Sequence, residues 1–136
     1  MALLSSLGKY KDFGLLILRI GLGLSFLLLH GYPKLAGGPE MWNAVGGAMK
    51  NIGIDFYPAF WGFMAGLTEA LGGLFLLLGL FFRPTNIFLA FTMLVAALNH
   101  LAAGDGMAGA SHPLELMIVF IGLVFIGAGR YSVDKK

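Results

Sequence analysis

Four long apolar runs divide the chain, at residues 13–32, 58–82, 84–103 and 113–129, and most charged side chains fall between or beside them. A helix crossing a bilayer needs about 20 mostly apolar residues, within a range of about 17–25. The first three runs meet that length and the fourth sits at its lower limit. Turn residues mark the breaks: Pro33 with Gly37-Gly38-Pro39, then Arg83-Pro84, then Gly104-Asp105-Gly106. No run alternates with the period of two expected of a transmembrane barrel strand. Hydrocarbon gives the backbone no hydrogen-bond partner outside the chain, so the predicted elements are helices. Lys9 and Lys11 precede the first run as a secretory leader's charges would. That run is longer than the roughly 7–15 residues of a signal core, and no small-x-small cleavage site follows it. It reads as a retained membrane helix.

The connection between the first two runs has a pattern of its own. Met41, Trp42, Val45, Ala48, Met49 and Ile52 recur at helical spacing, with Glu40, Asn43 and Lys50 on other faces, and Pro39 suits a first helical turn. This predicts a short amphipathic helix at about 39–52, lying in the interface as an anchor or over the mouth of the bundle as a lid. Phe56, Tyr57, Phe60 and Trp61 follow as an aromatic belt at the head of the second span.

Composition agrees. Hydrophobic residues make up 58% of the 136 and charged residues 12%, against about 25% charged in a soluble chain. A small soluble domain has proportionally more surface to cover with polar groups, so the expected fold class is all-α, an integral membrane four-helix bundle in one domain over residues 1–136. A net charge of +2 is too small and too scattered for nucleic-acid binding, and the lack of Cys removes disulfides, thiolate metal sites and dithiol exchange. Lys9, Lys11, Arg83, Arg130, Lys135 and Lys136 flank one side of the spans, and only Lys34 and Lys50 the other. Six against two predicts both termini in the cytoplasm of a plasma-membrane protein, with the amphipathic helix in the first extracytoplasmic loop.

Ionisable residues inside the spans each need a reason, since insertion costs about 2.5–3.5 kcal/mol for Asp, Lys or Arg at a helix centre. Arg19 lies two turns into the first run, on one face with Gly23, Phe26 and His30; it reads either as snorkelling to the headgroups or as paired with a carboxylate. Glu69 lies near the middle of the second run among Gly62, Ala65, Gly66, Gly72 and Gly73, whose small size favours a packed face. It must be paired, protonated or ligating, or hydrogen-bonded to Arg19 or a His between helices. His100, beside Asn99, closes the third run, and His112 and Glu115 open the fourth. Glu115 also suits a first helical turn without any partner, and His112 suits the solvated interface.

His30, Glu69, His100 and Glu115 thus form a candidate catalytic set of two imidazoles and two carboxylates, one from each span, with Arg19, Asn99 and His112 as candidate ligand-binding groups. Three uses follow: holding a transition metal, relaying protons to and from a quinone or quinol, or bonding helix to helix. His112-Pro-Leu-Glu115 reverses the Glu-x-x-His order of di-iron bundles. No haem-attachment motif, Walker loop, dinucleotide fingerprint or nucleophile elbow is present.

The same residues carry a family resemblance. His30-Gly31-Tyr32-Pro33-Lys34, Glu69-Ala-Leu-Gly72-Gly73, Gly79-Leu-Phe-Phe-Arg83-Pro84, Asn99-His100-Leu101 with Gly104-Asp105-Gly106, His112-Pro113-Leu114-Glu115-Leu116 and Gly129-Arg130-Tyr131-Ser132 resemble, in order, the DoxX family of small bacterial membrane proteins. The resemblance implies a four-helix inner-membrane protein, and relatives associated with a quinol oxidase or with thiosulfate:quinone oxidoreductases. The expected function is therefore a membrane subunit of a redox system that meets quinone or quinol through the His/Glu cluster. The redox centre would come from the quinone, a metal or a protein partner. A non-enzymatic scaffold or assembly partner, and a metal-binding membrane protein, are the alternatives. Expected partners are the lipid bilayer and another protein or a second copy, not nucleic acid.

Overall fold

The computed structural model describes residues 3–136. Among them there is no strand. The first span is one helical rod, Ser5–Ala36, which changes pitch along its length. A 3₁₀ turn, Ser5–Tyr10, leads into α1, Lys11–Leu24, then a π-helical segment, Ser25–Gly31, and a last α-helical turn, α2, Tyr32–Ala36. The rod runs past Pro33, where the sequence predicts an end. Pro33 falls in the first turn of α2, where a missing N–H and a fixed φ are tolerated. After Gly37, α3 (Gly38–Gly46) and a 3₁₀ extension (Gly47–Ile52) form the predicted amphipathic element. Three spans of 21 residues follow: α4, Pro58–Leu78; α5, Phe82–Ala102; and α6, Gly106–Ile126.

The fourth span corrects the sequence reading. It begins at Gly106 rather than Pro113 and ends at Ile126 rather than Gly129. An interior proline removes one hydrogen bond and crowds the carbonyl four residues back. The helix nevertheless runs through Pro113. Gly127, at φ 88° and ψ −179°, a conformation that suits glycine, ends the helix. The second span stops earlier than predicted because Gly79, at φ 66°, closes α4.

How α4 ends shows what Arg19 does. The last four carbonyls of a helix have no partner within it, and hydrocarbon supplies none. Leu80 N donates to Phe75 O at 2.9 Å and Gly79 N to Leu76 O at 3.2 Å, a Schellman turn. Arg19 Nε also donates to Leu76 O (3.0 Å) and Nη2 to Leu77 O (2.9 Å). Val133 N donates to Leu78 O at 3.0 Å. Arg19, 2% exposed, thus does not snorkel, and its hydrogen bonds go to carbonyls rather than to a carboxylate. It caps α4, and through Nη1 it also holds Tyr131 O at 2.7 Å.

The tail returns the favour to α5. Asp134 accepts from Phe81 N and Phe82 N at 3.1 and 2.8 Å, placing a carboxylate at a helix N-terminus, where the dipole favours it. That bond also steadies Phe81, whose left-handed φ of 47° is costly for a bulky side chain. Arg83 Nε caps α6 at Val124 O, 2.7 Å. These groups gather at one end of the bundle, hereafter the basic end; α3 lies at the other, the cover end.

Small residues set the packing elsewhere. A Cβ on Gly23 or Gly73 would strike the backbone of the facing helix, and one on Gly31 would strike Ala70, so the first span and α4 cross backbone to backbone. Gly46 and Gly62 do the same for α3 against α4, each meeting a main-chain carbonyl (Pro58 and Trp42). The predicted amphipathic helix is therefore a cover seated on α4. α5 and α6 form a tight hairpin around Leu89, Met93, Phe120 and Leu123, and a Phe26–Phe120 edge contact (5.2 Å between centroids) links it to the first span. Exposed Leu28, Ile87, Ile118 and Phe125 face outward, as lipid contact requires.

Two outcomes are expected. Arg19→Leu strands the carbonyls of Leu77 and Tyr131, at about 1–3 kcal/mol for each buried acceptor. Its melting temperature in detergent should fall further than that of Asp134→Asn, whose N–H partners lie nearer the surface. Gly62→Val should lift α3 from α4, read as faster amide hydrogen exchange over residues 38–52 while α5 and α6 keep their protection.

Candidate functional site

Glu69 sits on α4 midway between the ends and is 1% exposed. Its partner is Lys34, whose Nζ lies 2.5 Å from Glu69 Oε1. The helix crossing creates this pair. Gly31 abuts Ala70, so the first span is close enough to α4 for the next turn to carry Lys34 against Gly66 and on to Glu69. The Lys34 carbonyl accepts Trp42 Nε1 at 3.0 Å, tying the same turn to the cover. A buried carboxylate survives only when charge-paired or protonated, and Lys34, with a side chain 28% exposed, supplies the charge. The second carboxylate oxygen, Oε2, is buried without a hydrogen-bond partner, and so is Trp61 Nε1.

Both residues line one cavity of about 520 Å³ between α4, α5 and the cover. Trp61, Ala65 and Thr68 recur along one stripe of α4, and Phe88, Thr92, Val95 and Asn99 along one stripe of α5. Val45 and Met49 of the cover close it above, and Asn99 and His100 stand at the cover end. From Thr92 to Asn99 the cavity runs about 10 Å along the helix axis, at 1.5 Å per residue. Phe88 and Phe91 line it while remaining 64% and 49% exposed, so the α5 side is open to the surroundings of the bundle. Asn51 Nδ2 donates to Asn99 Oδ1 at 3.3 Å, a bridge from the cover to α5. His100 Nδ1 meets Asp105 Oδ2 at 2.7 Å, leaving Nε2 as the nitrogen available to another partner.

Of the sequence candidates, the cavity thus collects Glu69, Asn99 and His100. His30 is elsewhere. Its ring stacks obliquely on Phe26, 5.0 Å between centroids, and Gly31 rather than His30 meets α4. Arg19 serves the basic end. His112 and Glu115 are exposed on α6, because the helix begins two turns before them and carries them along an outer face. The four-residue set His30, Glu69, His100 and Glu115 is therefore not one cluster. Among the described residues, no three His, Asp or Glu side chains come together as a metal site requires. Sequence reasoning missed Lys34, Trp61, Thr68 and Thr92. Lys34 was available as a signal: a cation within a turn or two of an apolar span can reach a carboxylate buried in the neighbouring one.

The arrangement suits an occupant with a flat or extended apolar body and a polar head. The walls are mostly Val, Met, Phe and Ala, and the volume lies within the roughly 300–1,000 Å³ of small-molecule sites. The polar equipment at the Glu69 end is one ammonium and one carboxylate oxygen without a partner.

Comparison with known proteins adds the following. The profile of the DoxX family matches residues 14–102, a segment that contains every wall of the cavity. A Haemophilus influenzae protein described as an uncharacterized protein is 30% identical over 139 residues, covering 98% of this chain and 97% of its own. Inner membrane protein YqjF of Escherichia coli strain K12 is 32% identical over 132 residues, covering 93% of this chain and 94% of its own. No solved structure matches the chain. With the family profile covering more than half of the residues, and two full-length relatives at this level of identity, the chain belongs to the DoxX family.

Proposed function

We propose that this DoxX-family membrane protein is a subunit of a redox system and that the cavity beside Glu69 takes a quinone or quinol. The observation that carries the reading is Glu69: a residue lining a mostly apolar cavity, paired to an ammonium through one carboxylate oxygen and buried without a partner at the other. The residues fit such a group. A quinone headgroup needs donors at its oxygens, and Lys34 Nζ, Trp61 Nε1 and His100 Nε2 are donors or can be. A quinol needs an acceptor, which Oε2 is. The exposed Phe88 and Phe91 give a ligand dissolved in the bilayer a side entrance. Bound there, a quinone supplies two-electron, two-proton redox chemistry.

The chain's own contribution is binding and proton handling. Glu69 takes or returns a proton, with Lys34 paired to its other carboxylate oxygen. Thr68 and Thr92 offer hydroxyls along the wall, and His100, steadied by Asp105, stands where a proton leaves toward the cover end. The electrons would have to be exchanged with a centre that a partner oxidoreductase supplies. The same reading places the protein in the bacterial inner membrane. By the six-against-two distribution of Lys and Arg, the basic end is cytoplasmic and the cavity opens in the outer half.

A scaffold role has one observation in its favour: the Lys34–Glu69 pair joins the first span to α4 and would serve as an interhelical bond. One experiment separates the two readings. A short-chain ubiquinone titrated into purified protein should quench Trp61, and Glu69→Gln should weaken binding about tenfold, the equivalent of about 1.4 kcal/mol. Its melting temperature should stay near that of the wild type, because the amide still accepts from Lys34. No quenching of the wild type, where a control quinone protein responds, would sink the redox reading. A large melting loss with binding never detected would favour the scaffold.

A further inference from the structure

The basic end carries a second pocket, separate from the cavity beside Glu69. Its volume is about 330 Å³, and its walls are Lys9, Tyr10, Asp12, Phe13, Arg130 and Tyr131. The first four precede or open α1, and the last two belong to the Gly129-Arg130-Tyr131-Ser132 motif that the cavity beside Glu69 leaves unused. We infer that this pocket binds the phosphodiester headgroup of an anionic glycerophospholipid, with an acyl chain lying along the outer face of α1.

Four observations lead there. The two cations are unspent: among the described residues, the ion pairs are Lys34–Glu69 and His100–Asp105, and neither Lys9 nor Arg130 has an acidic partner. Each instead stands over a tyrosine ring, Lys9 at 5.1 Å from the Tyr10 centroid and Arg130 at 5.3 Å from that of Tyr131. The aromatic contacts hold the charges at the mouth of the pocket without neutralising them. The carboxylate of Asp12 is turned to the backbone, where Oδ1 accepts Arg130 N at 3.2 Å, so it fixes the tail beside α1. Two cations and one carboxylate leave a single positive charge, which matches the single negative charge of a phosphodiester.

The depth is right as well. Lys9 precedes the apolar stretch of the first span and Arg130 follows the end of α6, so both stand at headgroup level, with Tyr10 and Tyr131 as interfacial rings. Phe13, on the wall of the pocket, starts an exposed apolar stripe through Ile17, Ile20, Leu24 and Leu28 that descends into the bilayer. A molecule with an anionic head and an apolar tail follows this path; a soluble phosphate uses only its start. Basic pockets at the membrane face of helix bundles take lipid headgroups by the same physics.

The test is a native mass spectrometry titration of delipidated full-length protein in detergent with phosphatidylglycerol, phosphatidylcholine or sn-glycerol 3-phosphate. One phosphatidylglycerol should bind more tightly than phosphatidylcholine. Lys9→Gln and Arg130→Gln should each weaken it about fivefold, as expected for one Lys or Arg near the surface. Lys135→Gln/Lys136→Gln removes two charges from the same end and leaves the pocket intact, so it should bind as the wild type does. Equal affinity for the two lipids overturns the proposal, and so does an equal loss in the tail-charge variant. Glycerol 3-phosphate binding as tightly as the lipid would reassign the site to a soluble phosphate and overturn the lipid assignment.

Discussion

A backbone carbonyl in hydrocarbon can be satisfied only by the protein itself, and the basic end of this bundle is organised by that requirement. The last turn of α4 leaves its acceptors beside the Gly79 turn, and two donors from elsewhere in the chain fill them: Arg19 from the first span and Val133 from the tail. Because the tail is held there, Asp134 reaches the start of α5, and because α5 is fixed, Arg83 reaches the end of α6. The charged residues at this end are helix terminators borrowed across the fold. Each serves one helix end: Arg19 that of α4, Asp134 the start of α5 and Arg83 the end of α6.

At the middle of the bundle the same physics acts on a side chain. Glu69 is admitted because glycine contacts bring the first span close enough for Lys34 to reach it. The pair answers one carboxylate oxygen and leaves the other buried without a partner, in a residue that lines the cavity. A fully satisfied carboxylate would describe a structural bond and nothing more. The incomplete one, beside apolar walls, is what makes the proposed site chemically distinctive.

The architecture could be read from the sequence because bilayer thickness imposes a length on each apolar run and Gly and Pro mark the gaps. The four spans and the helical cover are present as expected. Roles that depend on tertiary partners were less legible. Arg19 bonds to carbonyls 57 and 112 residues away, and carbonyls leave no trace in sequence. Pro113 suggests a helix start by local chemistry, yet the helix continues through it from Gly106. His112 and Glu115 consequently turn outward. Glu69, Asn99 and His100, which line the cavity, stand out in the sequence because polar residues on apolar helices are conspicuous. Lys34 was counted as a flanking charge, since nothing local distinguishes a lysine that faces water from one that folds back onto a neighbour.

The π-helical stretch from Ser25 to Gly31 has a consequence for the angular phase of everything beyond it. Its wider turn sets the rotation at which α2 emerges, and with it the direction of Lys34. Relaxing that stretch to a regular α-helix with no residue removed would swing the following turn by about one residue's rotation, about 100°. The ammonium would then leave the carboxylate, although neither residue had been altered. The stretch is thus the indexing element of the first span, and its winding, more than the identity of its side chains, governs whether the buried charge finds its mate.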